Sequence, residues 1–76
     1  MKENQLTLVA LPGAYGICRL APDEPLPAWG VQGEFFSVTR TDLELSIVCA
    51  EADVPAAVLC ERGWRLFKID AVMDFS

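Results

Sequence analysis

The stretch Phe35–Glu51, in which apolar and polar side chains alternate, constrains the fold of this chain more than any other part of its sequence. A period of two with β-branched and aromatic residues is typical of a half-buried β-strand. The polar pair Thr41-Asp42 divides the stretch and supplies turn chemistry. The pattern therefore predicts a long β-hairpin. Its alternating apolar residues are Phe36 and Val38 before the turn and Leu45, Ile47 and Cys49 after it.

The composition is too apolar for the interior of one small domain. The chain has 76 residues, of which 53% are hydrophobic, and its mean hydropathy is +0.31. We expect the apolar excess to be buried against another copy, a partner or a missing half, because a single core of this size is small. A homodimer is the expected assembly, and a strand exchanged between the copies is one form that it can take.

The charge pattern argues against two classes of partner. The net charge is −5, and the basic residues are scattered along the chain. Without a basic run or stripe that could neutralise several phosphates, neither nucleic acid nor an anionic membrane surface is an expected partner. No apolar run reaches the length of a membrane span, and the polar N-terminus lacks the apolar core of a signal peptide. A cytoplasmic location is therefore expected.

The three cysteines, Cys18, Cys49 and Cys60, are spaced too widely to suggest a metal site. A zinc site needs about four ligands at short spacing, and the chain has no histidine. Without histidine there is also no obvious base to activate a thiol nucleophile. The cysteines are expected to be reduced, packed thiols, with Cys60 at the end of a short helix. No catalytic residue, metal or cofactor is assigned, and the chain is not expected to be an enzyme.

Three further stretches have the composition of strands. The first, Gln5–Leu11, is largely apolar on both faces, which fits an interior strand or one buried by a partner. Pro12-Gly13 predicts a type II turn, and Tyr15–Leu20 follows as a second strand. Trp64–Asp70 is predicted as the last strand, inside a sheet because it is apolar on both sides. Residues 71–76 are predicted as a tail that is too apolar to be solvated.

The helices are predicted to be short. Three prolines within Pro22–Gly30 exclude a regular helix and leave at most one turn, with Trp29 as the apolar plug of this connection. Asp53 as N-cap and Pro55 in the first turn predict a helix of about two turns that Gly63 ends. From the second strand onward the order is strand, short helix, strand, strand, short helix, strand. The predicted fold class is α+β, a ferredoxin-like, mainly antiparallel sheet with short helices.

Five sequence blocks, in a fixed order, carry a family resemblance. They are Leu-Pro-Gly-x-Tyr at 11–15, Cys-Arg-Leu at 18–20, the hairpin sequence at 35–49, Glu-Arg-Gly-Trp-Arg at 61–65, and Asp-Phe-Ser at 74–76. The hairpin block reads Phe-Phe-Ser-Val-Thr-Arg-Thr-Asp and then Glu-Leu-Ser-Ile-Val-Cys. Together the blocks resemble the small bacterial ACT-domain proteins related to the CASTOR arginine sensors, and the resemblance covers nearly the whole chain from Leu6.

The resemblance implies a tandem of ACT-like units with a ferredoxin-like fold. ACT domains generally bind amino acids or similar small effectors at interfaces between units, and they usually pair. Family members continue past the Asp-Phe-Ser block into a region that holds much of the arginine sensors' pocket, whereas this sequence stops at Ser76. Residues 1–76 are interpreted as a single ACT-like unit, with the N-terminal half of a tandem protein as one form of it. Trp64–Asp70 either closes this unit or begins a second one, and an absent half would leave an open sheet edge that invites pairing.

The best polar group for recognising a small zwitterion lies in the hairpin. An arginine there can pair with a carboxylate, and an aspartate with an ammonium group. The alternative interpretation is a polar outer face with an exposed turn. The expected function is regulatory binding of an amino acid or similar effector, and the competing hypothesis is a structural or dimerisation module without a ligand. The candidate binding residues are Ser37, Thr39, Arg40, Thr41 and Asp42.

Overall fold

The computed structural model describes residues 7–70. Over this range the chain forms six β-strands and two single 3₁₀ turns. The 3₁₀ turns span Ala28–Gly30 and Glu51–Asp53. The strands are β1 (Thr7–Ala10), β2 (Tyr15–Leu20), β3 (Ser37–Arg40), β4 (Leu45–Ala50), β5 (Cys60–Trp64) and β6 (Phe67–Asp70).

The strands form two antiparallel sheets. Four of them make one sheet in the order β3-β4-β2-β5, and β1 pairs with β6 in a separate two-stranded ribbon. The prediction of a mainly antiparallel sheet with short helical segments is confirmed. The strands β2 and β3 follow each other in the chain and run parallel, with β4 between them in the sheet. The strands β4 and β5 are related in the same way, with β2 between them, and this arrangement is compatible with a split β-α-β plan. Within residues 7–70 both connections hold a 3₁₀ turn instead of an α-helix, so the ferredoxin-like assignment stays a prediction.

The predicted hairpin forms β3 and β4. The two strands pair from Ser37 opposite Val48 to Arg40 opposite Leu45. The backbone N–H of Thr41 donates to the carbonyl oxygen of Glu44 at 2.9 Å and closes the turn. The prediction of β2 is also confirmed residue for residue. In front of β2, Gly13 has a φ of 80°, as the predicted Pro-Gly turn requires.

The core lies on one face of the four-stranded sheet. The first 3₁₀ turn covers this face, and Trp29 packs against the buried cluster, which confirms its predicted role as a plug. Gly30 is needed for the close approach of this turn, because a Cβ at that position would lie 3.1 Å from two methyl carbons of Ile47. The buried residues of the cluster are Cys18, Leu45, Ile47, Cys49 and Val54.

The predicted helix that starts at Asp53 is wrong. The 3₁₀ turn ends at that residue, and Val54 is already extended. A single further turn follows, in which the Val58 N–H donates to the Pro55 carbonyl at 3.1 Å. Two turns of helix gain too few hydrogen bonds to offset the cost of nucleation. Cys60 therefore begins β5, and its predicted place at a helix end is wrong as well.

The predicted single strand Trp64–Asp70 is also wrong. Trp64 ends β5, which completes the four-stranded sheet, and β6 begins three residues later. Gly63, at a φ of 84°, bends the chain before this break. β6 is not inside a sheet, since it pairs with β1 alone within the described residues. The predicted first strand forms β1 but ends at Ala10, one residue earlier than expected. Its first two predicted residues, Gln5 and Leu6, lie outside the described residues, and so does the predicted tail at 71–76.

Candidate functional site

The hairpin places its predicted polar residues on two faces of the sheet. Side chains alternate along β3, so Ser37 and Thr39 lie on one face, and Val38 and Arg40 on the other. Val38 packs against the buried cluster, which identifies its face as the core side. Ser37 and Thr39 are exposed on the outer face, away from Arg40. The five candidate residues therefore do not converge on one point.

Arg40 is held at the end of the sheet by the loop that follows β2. Its Nη1 donates a hydrogen bond to the carbonyl oxygen of Pro22, and its Nη2 donates to that of Glu24 at 3.0 Å. A guanidinium has five N–H donors, so these two bonds leave others for an anionic group. The backbone thus fixes the orientation of the guanidinium, which remains exposed to solvent.

The turn after β3 separates the roles of Thr41 and Asp42. The Thr41 Oγ1 accepts hydrogen bonds from the backbone N–H groups of Leu43 at 3.1 Å and Glu44 at 3.2 Å, so this side chain shapes the turn. Asp42 is exposed in the same turn. Arg40 and Asp42 consequently lie at the same end of the sheet, with the opposite charges that a zwitterion requires.

The outer face of the sheet carries a charged cluster that sequence reasoning missed. Arg19 Nε lies 3.6 Å from Glu44 Oε1, and Arg19 Nη1 lies 4.0 Å from Glu61 Oε2. The Arg19 side chain is 59% exposed, so these ion pairs contribute at most about 1 kcal/mol. A depression of about 160 Å³ adjoins the cluster, which is smaller than a typical ligand pocket. Its lining residues are Ile17, Arg19, Leu59, Cys60 and Glu61.

The three cysteines come together on the core side of the sheet. Cys18 lies directly opposite Cys60 on the neighbouring strand. Burial raises the pKa of the Cys18 thiol to about 12, and the adjacent Cys60 adds to this shift. Burial also raises the pKa of Cys49, with a further contribution from the Asp53 carboxylate. Cys18 and Cys49 are thus protonated at neutral pH, as expected for packed thiols. Their separation in the sequence gave no sign of the Cys18–Cys60 pair, because β2 and β5 are joined only in the fold.

The β1–β6 ribbon has one apolar face and one mixed face. The register places Leu8 opposite Ile69 and Ala10 opposite Phe67, so these four residues share a side, here called the apolar ribbon face. Its three large side chains are exposed, Leu8 by 63%, Ile69 by 62% and Phe67 by 59%. The opposite side carries Thr7, Val9 and Lys68. Such a one-sided ribbon is expected to bury its apolar face against another element, since an isolated two-stranded sheet is marginal in water.

The described part of the chain, residues 7–70, has neither a metal-ligand grouping nor a membrane-spanning helix. In that part of the chain, no group of three or more Cys, Asp and Glu side chains has an arrangement that could hold a metal ion. No helix in the same residues is long and apolar enough to cross a membrane.

Comparison with known proteins relates the chain to a solved structure and to a protein family. No curated protein matches its sequence significantly. Over 95% of its length the chain resembles the crystal structure of protein Atu0741 from Agrobacterium tumefaciens, with 44% sequence identity and a TM-score of 0.87. The chain covers 54% of that protein, and so spans about half of its length. Residues 13–57 match the profile of a protein family described as an N-terminal domain. Because this match extends over more than half of the chain, the protein belongs to that N-terminal-domain family.

Proposed function

We propose that the protein is a regulatory ACT-like unit that binds an amino acid or a similar small effector and that pairs with a second unit through the β1–β6 ribbon. The observation that carries the proposal is the apolar ribbon face, which leaves Leu8, Phe67 and Ile69 largely exposed. A surface of this kind is typical of a site where another element packs. The proposal assigns the chain a binding role and no catalytic residue.

The relation to Atu0741 supports a second unit. The similarity includes 95% of this chain, and almost half of the Agrobacterium protein lies outside the matched part. A second half, or a second copy of this chain, would supply the surface that the apolar ribbon face lacks. The order β3-β4-β2-β5 supports the ACT-like plan, because it separates each pair of sequential parallel strands by one antiparallel strand.

The effector is proposed to bind at the end of the sheet where Arg40 and Asp42 lie. Arg40 is oriented by the Pro22 and Glu24 carbonyls and has N–H donors for a carboxylate. Asp42, exposed in the adjoining turn, offers a carboxylate for an ammonium group. Thr41 holds the turn between them, whereas Ser37 and Thr39 would contact an effector only from the outer face.

A thermal-unfolding screen of the chain against the amino acids tests the binding proposal. An effector present at a hundred times its dissociation constant stabilises the native state by about 2.7 kcal/mol, which raises the melting midpoint of a domain this small by more than about 10 °C. The Arg40→Lys variant should lose most of this shift, because lysine cannot make the same forked contacts. Arg19→Lys, which alters an exposed arginine on the outer face, is the matched control and should retain the shift. Cooperative melting with no shift from any amino acid would favour the module without a ligand.

Light scattering tests the pairing surface separately. The chain of 8.3 kDa is expected to have twice this mass at micromolar concentration. Leu8→Lys should produce a monomer, because it places a charge on the apolar ribbon face. Val9→Lys introduces the same side chain on the opposite face of the same strand and should leave the dimer intact. A monomeric parent chain, or equal behaviour of the two variants, would argue against pairing of two copies through this face.

A further inference from the structure

The cysteines that face each other across β2 and β5 carry an inference independent of the effector proposal. We propose that Cys18 and Cys60 form a reversible disulfide, which makes this edge of the four-stranded sheet a site of oxidative modification. The two residues are paired in the register of the sheet. Cys60 also packs against the buried cluster that contains Cys18, so both side chains lie on the core side.

The backbone geometry suits a disulfide between these two residues. Directly opposed residues of antiparallel strands have Cα atoms about 4.5 to 5.5 Å apart, and disulfides occur at Cα separations of about 4.4 to 6.8 Å. Gly16 provides space for the sulfur of Cys60, since a Cβ at that position would lie only 2.5 Å from the Cys60 Sγ. The register therefore places the two residues within the range of backbone separations at which disulfides form.

Cys49 is placed too far from both partners to compete. It lies opposite Gly16, two residues along β4 from the Ile47 that faces Cys18. Such diagonal neighbours are separated by about 7 to 8 Å, which exceeds the limit of about 7 Å for an unstrained bridge. Cys49 and Cys60 lie on strands with β2 between them, about 9 to 10 Å apart. The sheet therefore selects one of the three cysteine pairs.

Access to solvent assigns different roles to the two thiols. Cys60 is partly exposed, and its strand β5 is the edge strand of the four-stranded sheet. Cys18 is fully buried and lies directly opposite Cys60. An oxidant would consequently react first at Cys60, and Cys18 would then resolve the adduct.

Oxidised glutathione, a low-molecular-weight disulfide, serves as the oxidant in this scheme. The Cys60 thiolate attacks one sulfur of the oxidant, which forms a mixed disulfide and releases one glutathione thiolate. The Cys18 thiolate then attacks the Cys60 sulfur and releases the second glutathione. The two protein thiols lose two electrons and two protons, and one oxidised glutathione becomes two reduced ones. Because the high pKa of Cys18 keeps its thiolate scarce, the second step is expected to be the slower one and to accelerate as the pH rises.

Thiol counting with mass spectrometry of the whole chain tests the proposal. After incubation with oxidised glutathione at pH 8, the number of titratable thiols in the denatured chain should fall from three to one. The mass should show no retained glutathione, and reduction should restore all three thiols. The bridge closes a loop of about 40 residues, so the melting midpoint should rise by at least about 10 °C. Three remaining thiols, a lasting glutathione adduct or a covalent dimer would each overturn the proposal.

Single-cysteine variants provide the matched controls. Cys49→Ala retains the proposed pair and should fall from two thiols to none. Cys60→Ser removes the accessible partner and should keep both of its thiols. Because Cys60 is only partly buried, this variant is expected to fold, and circular dichroism of both variants verifies it. Oxidation of Cys60→Ser to an intramolecular bridge would show that Cys18 and Cys49 pair, contrary to the geometry.

Discussion

Replacement of Gly30 by alanine tests how closely the first 3₁₀ turn packs against the core. Gly30 does not have a positive φ, so alanine meets no backbone penalty there. Its Cβ would lie 3.1 Å from both Cδ1 and Cγ2 of Ile47, and 3.4 Å from Cγ of Pro27. Ile47 is fully buried, so its methyl groups cannot move into solvent. The expected effect is therefore steric overpacking at one defined contact.

The magnitude follows from two opposing contributions. Overpacking of a dense core costs about 1 to 3 kcal/mol, whereas replacing glycine with alanine recovers about 0.4 to 1 kcal/mol from the entropy of the unfolded chain. The free energy of unfolding should therefore fall by about 1 to 2 kcal/mol. Ile47→Val alone should cost about 0.5 to 1.5 kcal/mol, but it removes Cδ1 and with it one of the two closest contacts. The double variant should therefore be destabilised by about 0.5 to 1 kcal/mol less than the sum of the two single variants.

Urea unfolding of the four members of this cycle, followed by circular dichroism, measures the coupling. The matched control combines Gly30→Ala with Ile17→Val, which deletes the same methyl group on the outer face of the sheet. This second cycle should be additive within about 0.5 kcal/mol. Additivity in both cycles would refute the proposed contact between the turn and Ile47, and a stabilising Gly30→Ala would refute the close packing itself.

Three other predictions concern titration, backbone conformation and the tie between β5 and the second 3₁₀ turn. Burial raises the pKa of Cys18 from 9.0 to about 12, so the folded state binds this proton more tightly than the unfolded state. The contribution of this thiol to the free energy of unfolding is complete below pH 9 and is lost as the pH rises towards 12, by at most about 1.4 kcal/mol per pH unit. Urea titrations in a reducing buffer should show that the free energy of unfolding falls less steeply with pH in Cys18→Ala than in the parent chain. Gly63 has a φ of 84° and open space around its Cα, so Gly63→Ala should cost about 1 to 2 kcal/mol and Gly63→Asn less, as measured by chemical denaturation. The Gly63 N–H also donates to Glu51 Oε1 at 2.7 Å, so Glu51→Gln should lower the melting midpoint by a few degrees and faster hydrogen exchange of the Gly63 amide should accompany it.

Local patterns in the sequence were sufficient to predict the central strands. The alternation in Phe35–Glu51 predicted β3 and β4, because one buried face imposes a period of two on a strand. The same period also implies that Thr39 and Arg40 lie on opposite faces of the sheet. The separation of the candidate binding residues onto two faces could therefore be predicted from the sequence of β3 alone. The hydrogen bonds from Arg40 to the carbonyl oxygens of Pro22 and Glu24 could not be predicted in this way, because they join segments that are distant in the sequence.

Non-local contacts account for the errors. Asp53 and Pro55 are favourable at a helix start, but Val54 is instead drawn into the core, and β5 begins within a few residues. The pairing of β1 with β6, and of Cys18 with Cys60, joins segments that are distant in the sequence. Such a register depends on the completed sheet and on a bulge between Tyr15 and Ile17, which no short pattern in the chain encodes.

The pairing of β1 with β6 has a consequence for the order in which the protein folds. During synthesis β1 emerges before β6, its partner about 60 residues further along the chain, and closing so long a loop makes this contact late and slow. The strands of the four-stranded sheet lie between them and can assemble earlier. Until β6 arrives, β1 presents an unpaired edge with Leu8 and Val9 to other nascent chains. We therefore expect aggregation during folding to begin at β1, because this strand stays unpaired until β6 has been synthesised.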